Sequence, residues 1–322
     1  MRTGLPVRSA LAVLVALAIL AFLHVELAGS GESGLPVPGQ GSPACRACCR
    51  YVGVALAHPG VAPLRTFERL SGVKPQIEEN YWAVGEPFPS GWAQTLQRQG
   101  ILPLLQINPR RASLEAIAAG RYDAYLGRLA AGVRALGAPV ALSFAHEMNG
   151  SWYPWGFLHV QPWVFVAAWR HVHHVLGAAG ARQVIWVWTV AHTAPQGGSL
   201  FAPVRPYWPG AAYVTWVGLD IYYSNPKTTF RTAFTPTVAA VRRFTRDPIL
   251  LSETAVPNQY DQLQQISNLF AGARAAGLLG VIWYDQDARM SWQLNNRPAA
   301  LAAFRRDAQR FRQAYKGTHA ST

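Results

Sequence analysis

From Tyr51 onward the chain alternates short, continuous apolar runs with longer stretches whose apolar residues recur at helical spacing. Eight runs predict strands, at 51–57, 75–81, 101–107, 139–145, 183–190, 213–220, 248–253 and 279–286. Most, such as "PVALSFA" and "QVIWVWTV", are apolar throughout rather than alternating with polar residues. A strand reads this way when both of its faces are covered, as in a parallel sheet flanked by helices. Helices are predicted between most of them, at 113–136, 161–180, 235–246, 260–277 and 297–317. The second has Pro162 in its first turn and closes on glycine, the usual asymmetry of helix ends. "GGSLFAPVRPYWPG", between the fifth and sixth strands, has no such period and predicts an irregular connection.

Eight strands alternating with helices imply a (β/α)8 TIM barrel, an α/β fold. A doubly wound open sheet is the alternative, but no glycine-rich phosphate turn follows any early strand. In a barrel the chemistry lies at the C-terminal ends of the strands, and the polar residues of this chain cluster there.

Composition supports one large domain. Of 322 residues, 50% are hydrophobic and 11% aromatic, too apolar to remain unfolded. Ahead of the barrel, Arg2 and Arg8 precede the apolar run "SALAVLVALAILAFL", which matches an export signal better than a full membrane span. Residues 1–28 are therefore expected to act as a signal peptide, or as an anchor held in the membrane through residues 9–23. The expected location is extracytoplasmic, secreted or membrane-anchored. Residues 29–48 read as a Gly/Pro/Ser linker, 49–317 as the barrel and 318–322 as a tail. Cys45, Cys48 and Cys49 lack a second ligand pair for zinc and read as structural or incidental. The net charge of +13 is spread along the chain, not concentrated in a nucleic-acid footprint. Attraction to an anionic envelope or polymer is the sharper reading of that charge.

The chemistry concentrates in "HEMNGSWYPW", His146 to Trp155, which follows the apolar run "APVALSFA". A carboxyl group at the end of a buried strand loses hydration, so Glu147 must be paired, protonated or employed. A second acid, Glu253, ends the seventh strand in "PILLSETAVP". On one rim of a closed barrel the two acids face each other, and paired carboxyls across a sugar-sized gap are the machinery of glycoside hydrolysis. Aromatic residues fall at or beyond the strand ends, among them Tyr81, Trp82, Trp152, Trp155, Trp188, Tyr222, Tyr223 and Trp283. Such rings stack on the C–H faces of sugars, although core packing is the alternative for each of them.

"ALSFAHEMNGSWYPWG" resembles the acid/base motif of glycoside hydrolase family 26, which includes β-mannanases and related endo-glycanases. The likeness runs from about Tyr51 to the last helix and takes in "GRYDAYL", "VGLDIYY", "LLSETAV" and "VIWYDQD" in order. The resemblance implies that Glu147 is the general acid/base and Glu253 the nucleophile of a retaining endo-acting hydrolase. It implies that Tyr222 bonds Glu253 and that Asp220 buttresses Tyr222. His146 and Asn149 would orient the acid or bind substrate hydroxyls. Trp152 and Trp155 would line the leaving-group side, and Trp283 would floor the attacked sugar's subsite, with Tyr81 and Trp188 as further binding residues. Two positions depart from the family: Ser143 stands where an arginine is common, and Thr215 where an acid is. The implied substrate is β-1,4-mannan or a related β-glycan, with mixed-linkage β-glucan, β-1,3-xylan or an exopolysaccharide as alternatives.

Two other classes compete with that reading. A metal hydrolase would need histidines near the mouth; "WRHVHHV" does not place His171, His173 and His174 on one helical face, and His192, after the fifth strand, is the only other histidine near the expected mouth. A non-catalytic carbohydrate-binding protein needs the aromatics but not two opposed acids. No cofactor, metal or nucleic-acid partner is implied, and a monomer acting on a polysaccharide is expected.

Overall fold

The apolar runs form the staves of a closed barrel. The computed structural model describes residues 50–193, 200–287, 290–294 and 297–313. The expected export segment, the linker, Cys45, Cys48, Cys49 and the 318–322 tail lie outside these residues. The strands are β1 (Tyr51–Leu56), β2 (Ile77–Ala83), β3 (Leu102–Asn108), β4 (Val140–Phe144), β5 (Val184–Ala191), β6 (Trp216–Asp220), β7 (Ile249–Thr254) and β8 (Gly280–Asp285). Each pairs in parallel with the next, and β8 pairs with β1.

The helices are α1 (Val61–Ser71), α2 (Ser90–Arg98), α3 (Leu114–Ala118), α4 (Asp123–Leu136), α5 (Pro162–Ala178), α6 (Phe230–Ala233), α7 (Thr235–Arg242), α8 (Gln262–Ala275) and α9 (Pro298–Gln313). The single helix expected over 113–136 is two. Gly120 takes φ 78°, which ends α3, and its carbonyl receives Asp123 N–H at 3.1 Å as α4 begins. The irregular connection expected after β5 holds two short 3₁₀ turns, at Arg205–Tyr207 and Ala211–Tyr213. Among the described residues no helix is long and apolar enough to cross a membrane.

Strand side chains alternate between two cores. Ile77, Leu104, Ala141, Val187, Leu250 and Ile282 fill the barrel interior. Trp188, Trp283, Phe144 and Val190 point the other way, into the larger core shared with the helices. This parity decides which residues reach the mouth. Two positions above the interior apolar layer stand Glu79, Gln106, Ser143 and Thr189, and all four are buried.

Candidate active site

Glu253 reaches the mouth because β7 carries a bulge. Leu219 pairs with Leu251, but the next residue, Asp220, pairs with Glu253, so Ser252 is the extra residue on β7. The register against β8 slips in the same place, between Leu251 and Thr254. A bulge turns a side chain to the face its parity denies it. Ser252 keeps to the interior and donates to Asp220 Oδ1 at 2.6 Å, while Glu253, one residue on, is also delivered inward. Tyr81 hydroxyl donates to Glu253 Oε1 at 2.6 Å, and Tyr222 hydroxyl donates a shorter bond to Oε2. Both oxygens of Glu253 are thus held. Beneath them, a Cβ on Gly218 would come within 2.4 Å of Thr189 Oγ1 and 2.6 Å of Ser252 Oγ. Glycine there leaves room for the hydroxyl that holds Asp220.

Glu147 is presented by a strained turn. Ala145 and Glu147 take φ 49° and 55°, left-handed values that non-glycine residues seldom adopt. Surrounding bonds hold this conformation in place, as strain at functional sites requires. Glu147 N–H donates to Thr189 carbonyl at 3.0 Å, and Gly150 N–H donates to Glu147 carbonyl at 2.8 Å. Trp155 Nε1 donates to His146 carbonyl at 2.7 Å. The carboxyl of Glu147 accepts one bond, from Trp152 Nε1 at 2.7 Å.

Four buried acids, Glu79, Glu147, Asp220 and Glu253, share this end of the barrel, and the first three each feel the charge of Glu253. Among the described residues no lysine or arginine makes an ion pair with any of them. Burial is the main cause of the raised pKa in all four. Glu147 is pushed well above the carboxylate range by burial and by the charge of Glu253, against one indole hydrogen bond. Glu253 is raised less, because the donating hydroxyls of Tyr222 and Tyr81 favour its ionised form. Glu253 therefore ionises first and Glu147 keeps its proton. Opposed environments of this kind equip one carboxyl to donate a proton and the other to attack as a carboxylate.

His146, next to Glu147 in the chain, is buried beside the Tyr81 ring. Its pKa is lowered to about 3, by burial and then by Arg110, so the ring is neutral. Its Nδ1 lies 2.8 Å from Asn108 Oδ1, and its Nε2 lies 3.2 Å from Tyr153 hydroxyl. With the amide oxygen able only to accept, Nδ1 carries the proton and Nε2 receives the tyrosine. His146, Asp220 and Glu253 also bring one potential ligand atom each within 4.8 Å of one another. A cation there would take the Nε2 lone pair that Tyr153 now bonds. Of the histidines weighed for a metal centre, His171 pairs with Asp123 at 2.6 Å on the helix layer, and His173 packs between Trp186 and Tyr213.

Several expected sugar contacts are placed elsewhere. Asn149 spends both ends of its amide on Ala191, donating to the carbonyl at 3.2 Å and accepting from the N–H at 2.8 Å. It ties the Glu147 turn to β5 and is fully buried. Trp155 is only 2% exposed and stacks on Tyr153 at 4.3 Å, forming a pillar under the turn. Trp188 points away from the mouth by strand parity and packs on Trp208 and Phe244. Trp283 does the same against Phe304, and its Nε1 donates to Trp292 carbonyl at 3.2 Å. The ring packed on the tyrosine that holds Glu253 is instead Trp292, 4.7 Å from Tyr222, with Tyr284 at 5.6 Å from the same tyrosine. Neither was picked from the sequence. Trp152, at 41% exposed, does remain open to a ligand. Ser143, in the place of the arginine, donates to Thr189 Oγ1 at 2.9 Å, so no cation enters the acid cluster from β4.

The sequence model for Glycosyl hydrolase family 26 matches residues 106–247, which include Glu147 and stop just short of β7. Endoglucanase H of Acetivibrio thermocellus is 24% identical over 303 residues, covering 89% of this chain and 32% of that protein. A mannan endo-1,4-beta-mannosidase of Bacillus subtilis is 30% identical over 115 residues, 33% of this chain and 30% of that protein. The chain thus spans about a third of the length of these curated relatives. Among solved structures, a family 26 β-mannanase from Bacteroides ovatus superposes with TM-score 0.64 at 14% identity, over 85% of this chain and 94% of that one. A Bacillus subtilis mannanase gives 0.59 at 20% identity, over 80% and 85%. These superpositions bear out the expected (β/α)8 fold, and the match across residues 106–247 bears out the resemblance to glycosyl hydrolase family 26.

Proposed function

We propose that this protein is a retaining, endo-acting glycoside hydrolase that cleaves a β-linked polysaccharide, β-1,4-mannan or a related β-glycan. The observation that carries the reading is the opposed setting of the two glutamates. Glu253 has a donor on each oxygen and Glu147 has one indole and a deeper cost of ionisation. In the mechanism, Glu147 gives its proton to the glycosidic oxygen as Glu253 attacks the anomeric carbon and the bond to the leaving sugar breaks. The proton prevents an alkoxide from forming on the departing chain. Tyr81 and Tyr222 keep Glu253 ionised and aimed until the covalent bond forms. Glu147, now a carboxylate, takes a proton from water, whose oxygen displaces Glu253 and releases the sugar with its configuration kept. Neutral His146 adds no cation beside Glu147 that would draw off its proton.

The open face of Trp152 and the partly exposed rings of Trp292 and Tyr284 supply stacking surfaces on the two sides of the acid pair. The relatives' names divide between a glucanase and a mannosidase, so a test panel has to hold both polymers. Export through residues 1–28, with the barrel beginning near residue 49, fits a substrate that is too large to enter a cell.

The experiment is digestion of β-1,4-mannan, β-1,4-glucan, mixed-linkage β-glucan, β-1,3-xylan and bacterial exopolysaccharides, with reducing ends counted and product lengths resolved. New reducing ends in internal-cleavage ladders, abolished in Glu253→Ala of unchanged circular dichroism, support the reading. Tight binding to a glycan with no new reducing ends would favour a non-catalytic carbohydrate-binding protein instead.

A further inference from the structure

Glu79 has no part in the mechanism above, yet it is fully buried on the inward face of β2, two residues before Tyr81. Its Oε1 accepts Gln106 Nε2 at 2.7 Å. Gln106 stands on β3 directly beside Tyr81 in the strand register. Two oxygens of this couple, Glu79 Oε2 and Gln106 Oε1, are buried and have no hydrogen-bond partner. Both are acceptors if Glu79 is a carboxylate, and two orphaned acceptors at zero exposure are costly. One proton on Oε2 removes both orphans, because an acid and a primary amide can close a ring with two bonds.

We propose that Glu79 is a positioning residue that carries a permanent proton, donates it to Gln106 Oε1 while accepting from Gln106 Nε2, and by this two-bond clamp holds Tyr81 on Glu253. The inference rests on the proposed mechanism for its consequence but not for its geometry. The groups that face Glu79 are Glu253 from β7, Glu147 beyond β4, Asp220 from β6, Tyr81 on its own strand and Tyr284 from β8. None is a cation. Burial first, and then the charge of Glu253, push Glu79 toward the protonated form against the single bond from Gln106. A neutral Glu79 also leaves Glu253 free to be the carboxylate of the cluster. A second negative charge beneath it would make ionisation of Glu253 harder.

The clamp is tested first without reference to activity. Infrared difference spectra of wild type minus Glu79→Gln at pH 8 are expected to contain the carbonyl stretch of a protonated carboxyl. A carboxylate pair of bands in its place would overturn the proposal. Activity then tests the consequence. Glu79→Leu is expected to lose roughly tenfold or more in kcat/KM, a loss of about 1.4 kcal/mol in transition-state stabilisation. Glu79→Gln, which can form the same two bonds as an amide pair, should restore most of it. Gln106→Glu sets two acids against each other, so its acid limb of kcat/KM should move up by about one pH unit or more. Failure of rescue by Glu79→Gln, or an unmoved acid limb in Gln106→Glu, would contradict the positioning role. If Glu79→Leu does not fold, the other two variants still decide the matter. A protonated-carboxyl band in a protein that cleaves no glycan would count against the proposed hydrolase and leave the clamp standing.

Discussion

Removing the Tyr222 hydroxyl should change when Glu253 ionises, by an amount that follows from its surroundings. Glu253 is 6% exposed, and its two oxygens are held by Tyr222 and Tyr81. Little solvent stands ready to replace a lost donor. A hydrogen bond to a charged group contributes roughly 1.5–3 kcal/mol. At about 1.36 kcal/mol per pH unit, its loss corresponds to roughly 1–2 units of pKa. Hydroxyl donors favour the carboxylate, so Tyr222→Phe raises the pKa of Glu253. Attack requires that carboxylate, and so the acid limb of kcat/KM should move up by roughly 1–2 units while the alkaline limb, set by Glu147, moves far less. The assay is kcat/KM from pH 3 to 9 on the best polymer of the panel, with circular dichroism at each pH as a control for folding. Tyr81→Phe should act in the same direction on the other oxygen. An acid limb that stays put or moves down would refute the reasoning, as would an equal displacement of both limbs.

Trp152→Phe removes the one donor to Glu147, so the Glu147 pKa should rise and carry the alkaline limb up with it, the mirror image of the tyrosine result. Asn149→Ala leaves Ala191 with a buried N–H and carbonyl unpaired; a loss of roughly 2–4 kcal/mol in chemical unfolding is expected, with KM little changed in the protein that remains folded. Glu78 faces outward from β2 toward Trp92 and Gly60, fully buried and without a close hydrogen bond, and its pKa is raised from 4.5 to about 7. The folded state holds this proton between those values while the unfolded chain releases it, so stability falls as pH rises through that window. The stability of Glu78→Gln relative to wild type should therefore climb by roughly 3 kcal/mol between pH 4 and 8, read from thermal or urea unfolding; a flat difference would contradict it.

The barrel was legible because eight continuous apolar runs can be buried only in a sheet covered on both sides. Both glutamates and the partnership of Tyr222 with Glu253 were legible too. Their residues lie in motifs whose order follows the strands. What could not be read depended on facts finer than order. Trp188 and Trp283 look like rim aromatics until strand parity turns them toward the helices. Parity was available in the sequence, since Val187 and Ile282 beside them claim the interior. The bulge at Ser252 was not available, and without it Glu253 would point away from the mouth. Glu79 was concealed in "IEENY", inside an expected strand, where nothing local separates it from the adjacent Glu78. Its spacing of two from Tyr81 was the clue that both share one face. Trp292 lies beyond β8 in a polar segment that carries no period. Asn149 sits in the right motif, but its amide is matched to Ala191, which is 42 residues away.

The central claim is that Glu253 forms a bond to sugar while Glu147 supplies the proton. A 2-deoxy-2-fluoro glycosyl fluoride of the sugar that the panel identifies tests it most directly, since the fluorine slows breakdown of a covalent intermediate. Peptide mass mapping of the treated protein is predicted to find one fluoroglycosyl adduct, on Glu253, absent from Glu253→Gln and present in Glu147→Gln. An adduct on another residue, or cleavage of the polymer with inverted anomeric configuration and no adduct, would contradict the account.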